Sequence, residues 1–345
     1  MKRFKSFASD NNAGVHPQIM EAMTAANTGH TVAYGNDKYT KSAKAKIRKT
    51  FGEVETLFVA SGTAANVFSI SALAQPYNTV ICSDRAHIFV DECNAVENFV
   101  RCRLSAAESI DGKMSAKSVA EKNVGGGDVH QSQPSAVSIT QATELGTVYF
   151  PEEITAITSY AHDNGLYVHM DGARICNAAA SLGLGLREAT VDLGVDVLSF
   201  GATKAGAMMA EAVIFFNRDL AAAADFRRKQ GMQLFSKMRF VSAQIEALLS
   251  DDLWLRNAGH SNRMARSLAA GLEKIPGARI VNNVDVDMVF VTFPEEKLPD
   301  MQQAFPDYEW HNNRTALRLV CAFDTTDEDI SGIIDYIKES LSEEE

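Results

Sequence analysis

A lysine and an aspartate each follow a short apolar segment near the middle of the chain. Lys204 lies among small residues in "FGATKAG" (200–206), and Asp171 ends the apolar run of "LYVHMDGARI" (166–175). A carboxylate in apolar surroundings is costly unless it meets a cation or a metal ion. Simpler interpretations are also open: Lys204 as a solvated lysine, and Asp171 as the ion-pair partner of Arg174 at the start of a helix.

The order of these two segments favours a shared ligand. If they are neighbouring strands of a parallel sheet, their ends lie ~5 Å apart and face one crevice. An aromatic ring with a protonated nitrogen at one end and an aldehyde at the other would bridge Asp171 and Lys204, and pyridoxal phosphate (PLP) is such a ring. No cluster of histidines and carboxylates accompanies Asp171 in the sequence. We therefore predict PLP and no metal.

A third segment could hold the phosphate of such a cofactor. In "VASGTAAN" (59–66) an apolar strand leads through Gly62 and Thr63 into an alanine-rich helix. Backbone N–H groups at a helix start form an anion site. Taken alone, the same residues are typical of a plain helix N-cap, so this motif gains weight only beside Asp171 and Lys204.

Two further residues are candidates for the same crevice. His87, in "SDRAHIFVDE" (83–92), follows an apolar segment and could stack on a ring or move a proton, although a lone histidine is more often structural. Arg318 lies within the apolar segment "TALRLVCAF", where a guanidinium requires an anion. A substrate carboxylate bound by two hydrogen bonds would satisfy it, and an inter-domain salt bridge is the alternative.

The elements that must position these residues indicate an α/β protein. Short apolar strands alternate with helical stretches between residues 55 and 217, which predicts a large domain with a mostly parallel sheet flanked by helices. A long helical region is expected from about 219, followed by a smaller C-terminal α+β domain. The predicted strands of the large domain are 56–61, 79–83, 136–140, 166–171, 196–200 and 212–216. The predicted boundaries are 1–15 for an N-terminal arm, 16–249 for the large domain and 250–345 for the small one.

Composition limits the classes of partner. The 345 residues carry a net charge of −11 and 46% hydrophobic residues, which is typical of a globular protein and argues against nucleic acid or an anionic membrane as partner. The N-terminal sequence lacks the apolar run of a secretory signal. The five cysteines are odd in number and form no C-x-x-C pair, so we expect a reducing, cytoplasmic compartment.

From about residue 7 to 330 the chain resembles the threonine aldolases. The motifs "FASDN", "AYGND", "SGTAAN", "RAHI", "HMDGAR", "FGATK" and "LRLVCAFDT" follow one another in the order found in that family. "SITQATELGTVY" and "SKMRF" are similar to a bacterial subgroup of L-threonine and phenylserine aldolases. The resemblance implies the aspartate-aminotransferase-like fold, fold type I of the PLP enzymes.

The resemblance implies roles for residues around the cofactor. Lys204 matches the Schiff-base lysine, Asp171 the partner of the ring nitrogen and His87 the ring-stacking histidine, and these three are the implied catalytic residues. Arg239 matches an arginine that reaches the phosphate from a neighbouring subunit. The implied cofactor contacts are Lys204, Asp171, His87, Gly62, Thr63, Thr203, Arg174 and Arg239.

The resemblance also implies how the substrate is held and how subunits assemble. Ser9, Arg174 and Arg318 match groups around the substrate carboxylate, and Tyr34 matches a tyrosine near the site. The family's usual assembly, a tetramer built from dimers with shared active sites, would follow. We therefore expect a homotetramer that acts on small amino acids and aldehydes.

One position departs from the family pattern. Many low-specificity members carry a histidine in the loop after the strand at 136–140, and Thr143 is expected to take its place here. That histidine is one candidate for handling the substrate hydroxyl. The base in this chain is therefore predicted to be His87 or a water held by Thr143.

The predicted reaction is cleavage of the Cα–Cβ bond of a β-hydroxy-α-amino acid. L-Threonine, L-allo-threonine and phenylserine would yield glycine and an aldehyde, which defines an aldehyde-lyase. The nearest alternative is another fold-type-I enzyme, a β-eliminating lyase or an aminotransferase, which would use the same lysine and aspartate. A protein that keeps the fold for binding alone is a second alternative.

Overall fold

The structure is a computed structural model that describes residues 4–342. The first three residues of the predicted N-terminal arm and the last three of the predicted small domain lie outside the described residues. Its strands are β1 (Glu55–Val59), β2 (Asn78–Ser83), β3 (Arg103–Ala107), β4 (Gln133–Thr140), β5 (Tyr167–Gly172), β6 (Val197–Gly201), β7 (Glu211–Phe215), β8 (Arg279–Ile280), β9 (Met288–Thr292), β10 (Trp310–His311) and β11 (Ala316–Val320).

The strands are flanked by α-helices, and residues 4–342 also contain four short 3-10 segments. The 3-10 segments are Asp10–Asn12, Val191–Leu193, Arg218–Ala221 and Glu295–Lys297. The α-helices are α1 (Pro17–Ala26), α2 (Lys38–Phe51), α3 (Gly62–Leu73), α4 (His87–Val90), α5 (Ala95–Val100), α6 (Ala116–Lys122), α7 (Pro151–Asp163), α8 (Ile175–Leu182), α9 (Ala224–Gln230), α10 (Met238–Leu248), α11 (Leu253–Leu272), α12 (Leu298–Ala304) and α13 (Asp327–Ser342).

The large sheet has seven strands in the order β1-β7-β6-β5-β4-β2-β3. Every neighbouring pair within β6-β5-β4-β2-β3 is parallel, and β7 runs antiparallel to both β1 and β6. This confirms the predicted α/β architecture with a mostly parallel sheet. The sequence prediction missed β3, because "RLSAA" has only one large apolar residue and lacks the apolar run that indicated the other strands.

Both faces of the large sheet are covered. One face packs against α2, α7 and α10 through residues such as Phe51, Ile157 and Ile245, all fully or almost fully buried. The other face packs against α3 and α5, to which Ile70 and Val96 contribute. α3 is apolar around most of its circumference because it lies between the sheet and the outer helices.

The predicted long helical region after 219 is divided into α9, α10 and α11. Met232 (φ 64°) follows α9, and Asp251 and Asp252 (φ 50° and 54°) separate α10 from α11. Residues in this left-handed conformation cannot continue a right-handed helix. The continuous apolar pattern of the sequence does not reveal these two breaks.

The C-terminal part forms a second, antiparallel sheet in the order β10-β11-β9-β8. Its core includes residues of α11, α12 and α13 together with Phe7, which is 1% exposed. The Val320 N–H donates to the Phe7 carbonyl (2.8 Å), so the N-terminal segment is fastened to this sheet. Within residues 4–342, no helix combines the length and apolar character required to cross a membrane.

Candidate active site

Lys204 lies just beyond the carboxyl end of β6 in a tight turn. The Ala205 N–H donates to the Ala202 carbonyl (3.0 Å) and the Gly206 N–H to the Thr203 carbonyl (3.2 Å). Gly201, one of the small residues around Lys204, has a packing role, because a Cβ there would lie 2.5 Å from the carbonyl oxygen of Ala173. The nearby Arg174 charge, followed by burial, lowers the pKa of the Lys204 amine, which favours the neutral, nucleophilic form.

Asp171 lies one strand away, near the end of β5, and is 5% exposed. Asp171 and Ser199 are register partners across the β5–β6 pair, so the predicted adjacency of the Asp171 and Lys204 strands is confirmed. The Asn66 amide donates to Asp171 Oδ2 (2.8 Å), and the Ala173 N–H donates to Oδ1 (3.0 Å). The carboxylate is thus held in one orientation.

A cavity of about 270 Å³ joins Lys204 and Asp171 to the start of α3. Ser61 is the N-cap of α3, and its side chain accepts from the Ala64 N–H. The first-turn N–H groups of Gly62 and Thr63 have no acceptor within their own helix and can bind an anion. The cavity lining includes Ser61, Gly62, Thr63, His87, Asp171, Ala173, Ser199, Thr203, Lys204 and Glu211.

A polar network ties His87 to Asp171. His87 Nδ1 lies 2.8 Å from Glu92 Oε1, which also accepts from the Asn66 amide (2.8 Å). The hydrogen bond with Glu92 raises the pKa of the His87 ring. The sequence prediction missed Asn66 and Glu92. An asparagine within an apolar helix and an acid five residues after His87 were the available signals.

The raised pKa of His87 gives a pH-dependent contribution to stability. The protonated ring is favoured in the folded state, so this stabilisation is complete below the ordinary value of 6.5 and is lost as pH rises through the raised folded value. We expect Glu92→Gln to lower the free energy of unfolding more at about pH 5.5 than at about pH 8.5. Urea unfolding at both pH values measures this, and an equal loss at both would contradict it.

Glu211 is a second buried acid of the cavity that the sequence prediction missed. It is the first residue of β7 and the register partner of both Val59 on β1 and Gly201 on β6. Its Oε2 accepts from the Ala202 N–H (2.9 Å), which anchors the turn that carries Lys204. Burial raises the pKa of the Glu211 carboxyl to about 7.

Thr203, predicted near the phosphate, lines the same cavity and accepts from the Ala210 N–H (3.2 Å) through its hydroxyl.

Two arginines lie close to the cavity without lining it. Asp10 accepts from Arg174 Nε (2.8 Å) and Nη2 (3.0 Å), and Asp287 lies 3.6 Å from Nε. Burial opposes the charge of Arg174, but Asp10 and Asp287 outweigh it and raise the pKa of the guanidinium. Burial raises the pKa of Asp287 to about 7.

Arg318 has a more exposed partner. Glu309 accepts from Arg318 Nη1 (2.6 Å) and Nη2 (2.7 Å), and 57% of the Glu309 side chain is exposed. Arg318 Nε is buried and has no hydrogen-bond partner within residues 4–342. Ser9 caps the 3-10 segment before Ala13 by accepting from the Asn11 N–H (3.2 Å). Ser9 is therefore adjacent to the Asp10–Arg174 pair.

Two predicted site residues, Tyr34 and Arg239, lie away from the cavity. Tyr34 and Arg239 are both tied to exposed backbone: the Tyr34 N–H donates to Ser236, and Arg239 Nη1 donates to the Gly29 carbonyl (3.1 Å). Neither lines the cavity.

Thr143 requires a correction. It is fully buried, its Oγ1 lies 2.8 Å from the hydroxyl of Thr147, and it does not line the cavity. The loop turns this side chain inward, so Thr143 holds the loop together and does not present its hydroxyl to a substrate. The following residue, Glu144, does not line the cavity either, but it contacts His87, which does. Its Oε1 accepts from the His87 N–H (2.8 Å).

The residues of the cavity fit PLP. Asp171 supplies the acceptor for a protonated ring nitrogen, Lys204 supplies an amine for an aldehyde, and Gly62 and Thr63 supply N–H groups for a phosphate. Nothing lies within 4 Å of the position where Gly62 would carry a Cβ, so the start of α3 is open to a ligand. Residues 4–342 contain no cluster of three or more histidine, cysteine or acidic side chains that could hold a metal ion.

Comparison with known proteins agrees with this geometry. Residues 6–296 match the beta-eliminating lyase family. The chain is 42% identical over 323 residues to the low specificity L-threonine aldolase of Pseudomonas aeruginosa, covering 93% of each chain. It matches the solved threonine aldolase of Leishmania major with a TM-score of 0.89 and 27% identity, covering 98% of this chain and 99% of that one.

A more distant solved structure shares the fold. SPT solved with PLP has a TM-score of 0.71 and 17% identity, covering 98% of this chain and 86% of that one, which shows the fold alone. The cavity, the family match and the 42% identical relative point to the same class of enzyme. This chain belongs to the threonine aldolase family of fold-type-I, PLP-dependent lyases.

Proposed function

We propose that this protein cleaves L-threonine and L-allo-threonine, and related β-hydroxy-α-amino acids such as phenylserine, to glycine and an aldehyde. The observation that carries the proposal is the single cavity that Asp171, Lys204 and the start of α3 share with His87. The name of the 42% identical relative supports the choice of threonine among amino acids.

The roles of the residues follow from their positions. PLP, when bound, supplies an electron sink for the pair left on Cα when the Cα–Cβ bond breaks. Asp171 favours a proton on the ring nitrogen, because a carboxylate stabilises an adjacent cation. Lys204 would hold the cofactor through its aldehyde group and would give way to the amine of the substrate. Gly62 and Thr63 would hold the phosphate, and His87 would pack against the ring.

Arg318 is the better candidate for binding the substrate carboxylate. Arg174 is already paired with Asp10 and lies near Asp287, and only 10% of its side chain is exposed. Arg318 is paired with the exposed Glu309, which a substrate carboxylate could replace with the same two-pronged geometry. Arg174 would then orient Asp10 and add positive charge beside the carboxylate.

This arrangement predicts competition between Glu309 and the substrate. We expect Glu309→Gln to lower the KM for L-threonine by about two- to fivefold. An exposed ion pair contributes up to about 1 kcal/mol, which corresponds to about a fivefold change in affinity. The kcat should stay unchanged, because Glu309 is released before bond cleavage. Steady-state kinetics measure both, with Glu296→Gln, an exposed acid of the same domain, as control. An unchanged or raised KM would contradict the prediction.

Product analysis tests the proposed function. The protein is mixed with L-threonine, and acetaldehyde, glycine, ammonia and the oxo acid are measured. Acetaldehyde and glycine in equal amounts are expected, whereas ammonia with an oxo acid would identify β-elimination, the reaction named by the matched family. An oxo acid formed only with a second amino acceptor would identify an aminotransferase. Comparison of L-threonine, L-allo-threonine, D-threonine and L-phenylserine then defines the preferred configuration.

A homotetramer with active sites at a dimer interface remains our proposal for the assembly. A groove of about 940 Å³ adjoins the cavity, shares Ser61 and Thr63 with it, and is bordered by Phe99 and Met232. The side chains of Phe99 and Met232 are 62% and 73% exposed, which supports burial by a second subunit. Tyr34 and Arg239 would then reach the partner's cavity. Light scattering that returned a monomer would contradict this assembly.

The location in the cell also remains a proposal. The five cysteines are free, and four of them are buried. Free thiols are compatible with the reducing cytoplasm that the sequence predicts.

A further inference from the structure

Glu144 is a half-buried acid that contacts His87, a residue of the cavity lining, and the roles described above do not involve it. Its Oε1 accepts from the His87 N–H (2.8 Å) and from the Thr140 hydroxyl (2.9 Å). Its Oε2 is buried and has no hydrogen-bond partner within residues 4–342. Buried carboxylate oxygens without a partner are rare, and such an atom calls for an explanation.

The surrounding backbone places this carboxyl between the strand ends that carry the site. Thr140 is the register partner of Asp171, and the Gln141 N–H donates to the Asp171 carbonyl (2.8 Å). His87 begins α4, directly after β2, the neighbour of β4 on its other side. Glu144 is therefore tied by hydrogen bonds to the segments that present both Asp171 and His87.

The loop that carries Glu144 is held closed. The Gln141 side chain donates to the Tyr149 carbonyl (2.9 Å) and accepts from the Tyr149 N–H (2.9 Å). The Thr143 N–H donates to the Thr147 carbonyl (2.9 Å), and Gly146 takes a φ of 76° to complete the turn. A carboxylate on such a loop is preorganised, as a group that moves protons must be.

The electrostatic surroundings of Glu144 suit a proton acceptor at neutral pH. Burial raises its pKa to about 7, and the negative charge of Asp171 acts in the same direction. The other titratable groups that face it are the Cys82 thiol on β2 and the Tyr149 phenol after β4. Burial raises the pKa of the thiol to about 12 and also raises that of the phenol, so both are neutral when Glu144 titrates.

The alternative base, His87, is less suited. Its Nδ1 is occupied by Glu92, and that hydrogen bond raises the pKa of the ring, which lowers the fraction of neutral imidazole at a given pH. Only the neutral ring has a lone pair that can accept a proton. Thr143 is excluded by its burial and by its contact with Thr147.

We propose that Glu144 is the proton acceptor for the β-hydroxyl group of the substrate, an inference that rests on the proposed aldolase function. The hydroxyl proton moves to Oε2, the electron pair of the O–H bond becomes the second bond of the aldehyde carbonyl, and the Cα–Cβ bond breaks. The electron pair of that bond stays on Cα, which then takes a proton from solvent to give glycine. Glu144 returns its proton to solvent before the next turnover.

The test uses Glu144→Gln in the PLP-loaded enzyme. Glutamine keeps the oxygen that accepts from His87 and Thr140, so the loop is preserved. We expect kcat for L-threonine cleavage to fall by about 100-fold or more, with KM changed by less than about threefold. The rise of kcat/KM with pH through about 7, which reports deprotonation of Glu144 in the wild type, should disappear.

A second measurement separates proton transfer from structural damage. Glycine has no β-hydroxyl, so exchange of its α-hydrogen with D2O should persist in Glu144→Gln within about threefold of the wild-type rate. Glu144→Asp should restore part of the cleavage, and His87→Asn should keep the pH-dependent rise. The control is Glu152→Gln on α7, an exposed acid, which should leave cleavage unchanged.

Several outcomes would overturn the inference. Cleavage by Glu144→Gln within about threefold of wild type, or a retained pH-dependent rise, would show that another group accepts the proton. Equal loss of cleavage and glycine exchange would show that Glu144 supports structure only. Failure of the proposed function looks different, because the wild-type protein itself would then release no acetaldehyde and glycine from L-threonine.

Discussion

Lys204→Ala is expected to lower the cleavage of L-threonine by about a thousandfold or more. Among the described residues that line the cavity, Lys204 supplies the only amine. Its pKa is lowered by the neighbouring Arg174 charge and by burial, so at neutral pH more of the amine is available to bond an aldehyde carbon than for an exposed lysine. Alanine removes this bond and the means of releasing the product from the cofactor.

Two measurements check this prediction. Cleavage of L-threonine is followed by acetaldehyde release, and the covalent link is followed by the visible absorbance of the bound cofactor, which should change in the variant. Lys117→Ala is the matched control, because that side chain is 87% exposed and pairs with Glu121 on its own helix. A variant that keeps the wild-type rate and spectrum would refute the assigned role of Lys204.

Asp171→Asn is expected to lower cleavage by about 100-fold or more, a loss typical of removing one preorganised electrostatic contact. Asparagine has nearly the same shape and can still accept from the Ala173 N–H. It has no charge, so a proton on the ring nitrogen of PLP loses its stabilising partner. The electron pair left on Cα is then poorly accommodated, although PLP can still occupy the cavity.

The measurement for Asp171→Asn combines kinetics with cofactor affinity. We expect a large fall in kcat, weaker binding of PLP and a changed visible spectrum. Asp163→Asn at the end of α7 is the control, since that residue is exposed on the helix that precedes β5. Retention of wild-type kcat by Asp171→Asn would show that the nitrogen does not depend on this carboxylate. Loss of kcat without any change in spectrum would contradict the proposed contact.

Much of the cavity was predictable because strand ends are local features of a sequence. The apolar segments that end near Asp171 and Lys204 became β5 and β6, and these pair in parallel as expected. Alternation of strands and helices makes such a sheet nearly obligatory, since parallel strands require a crossover connection. Polar residues that follow consecutive strands then meet at one edge, which explains why Gly62 and His87 lie there too.

The network around these residues was less predictable because it joins distant segments. Asn66 on α3 links Glu92, in the connection between α4 and α5, to Asp171 on β5. Each is an ordinary polar residue when considered alone. Only the packing of α3 across the ends of β5 and β6 makes Asn66 a bridge, so the sequence offered no signal beyond an unexpected polar residue in an apolar helix.

The loop after β4 was also difficult to predict, in this case at the level of a single side chain. Thr143 and Glu144 are neighbours in sequence, and either could face the cavity. The direction of each side chain is fixed by the turn at Gly146 and by the paired hydrogen bonds between Gln141 and Tyr149. Residue pattern does not encode such a turn, so the predicted Thr143 was one position away from the residue that contacts His87.

The α/β architecture, the lysine and aspartate at neighbouring strand ends and hence the class of cofactor were all predictable from the amino-acid sequence. These depend on hydrophobic periodicity and on the cost of burying a charge, both of which are local properties. Which charged residues form ion pairs depends on the tertiary structure. Asp10 and Arg174 are 164 residues apart and form a buried ion pair, whereas Arg318 forms an ion pair with the exposed Glu309. Such pairing depends on how the N-terminal segment and the second sheet close over the strand ends, because long-range electrostatic contacts follow from packing.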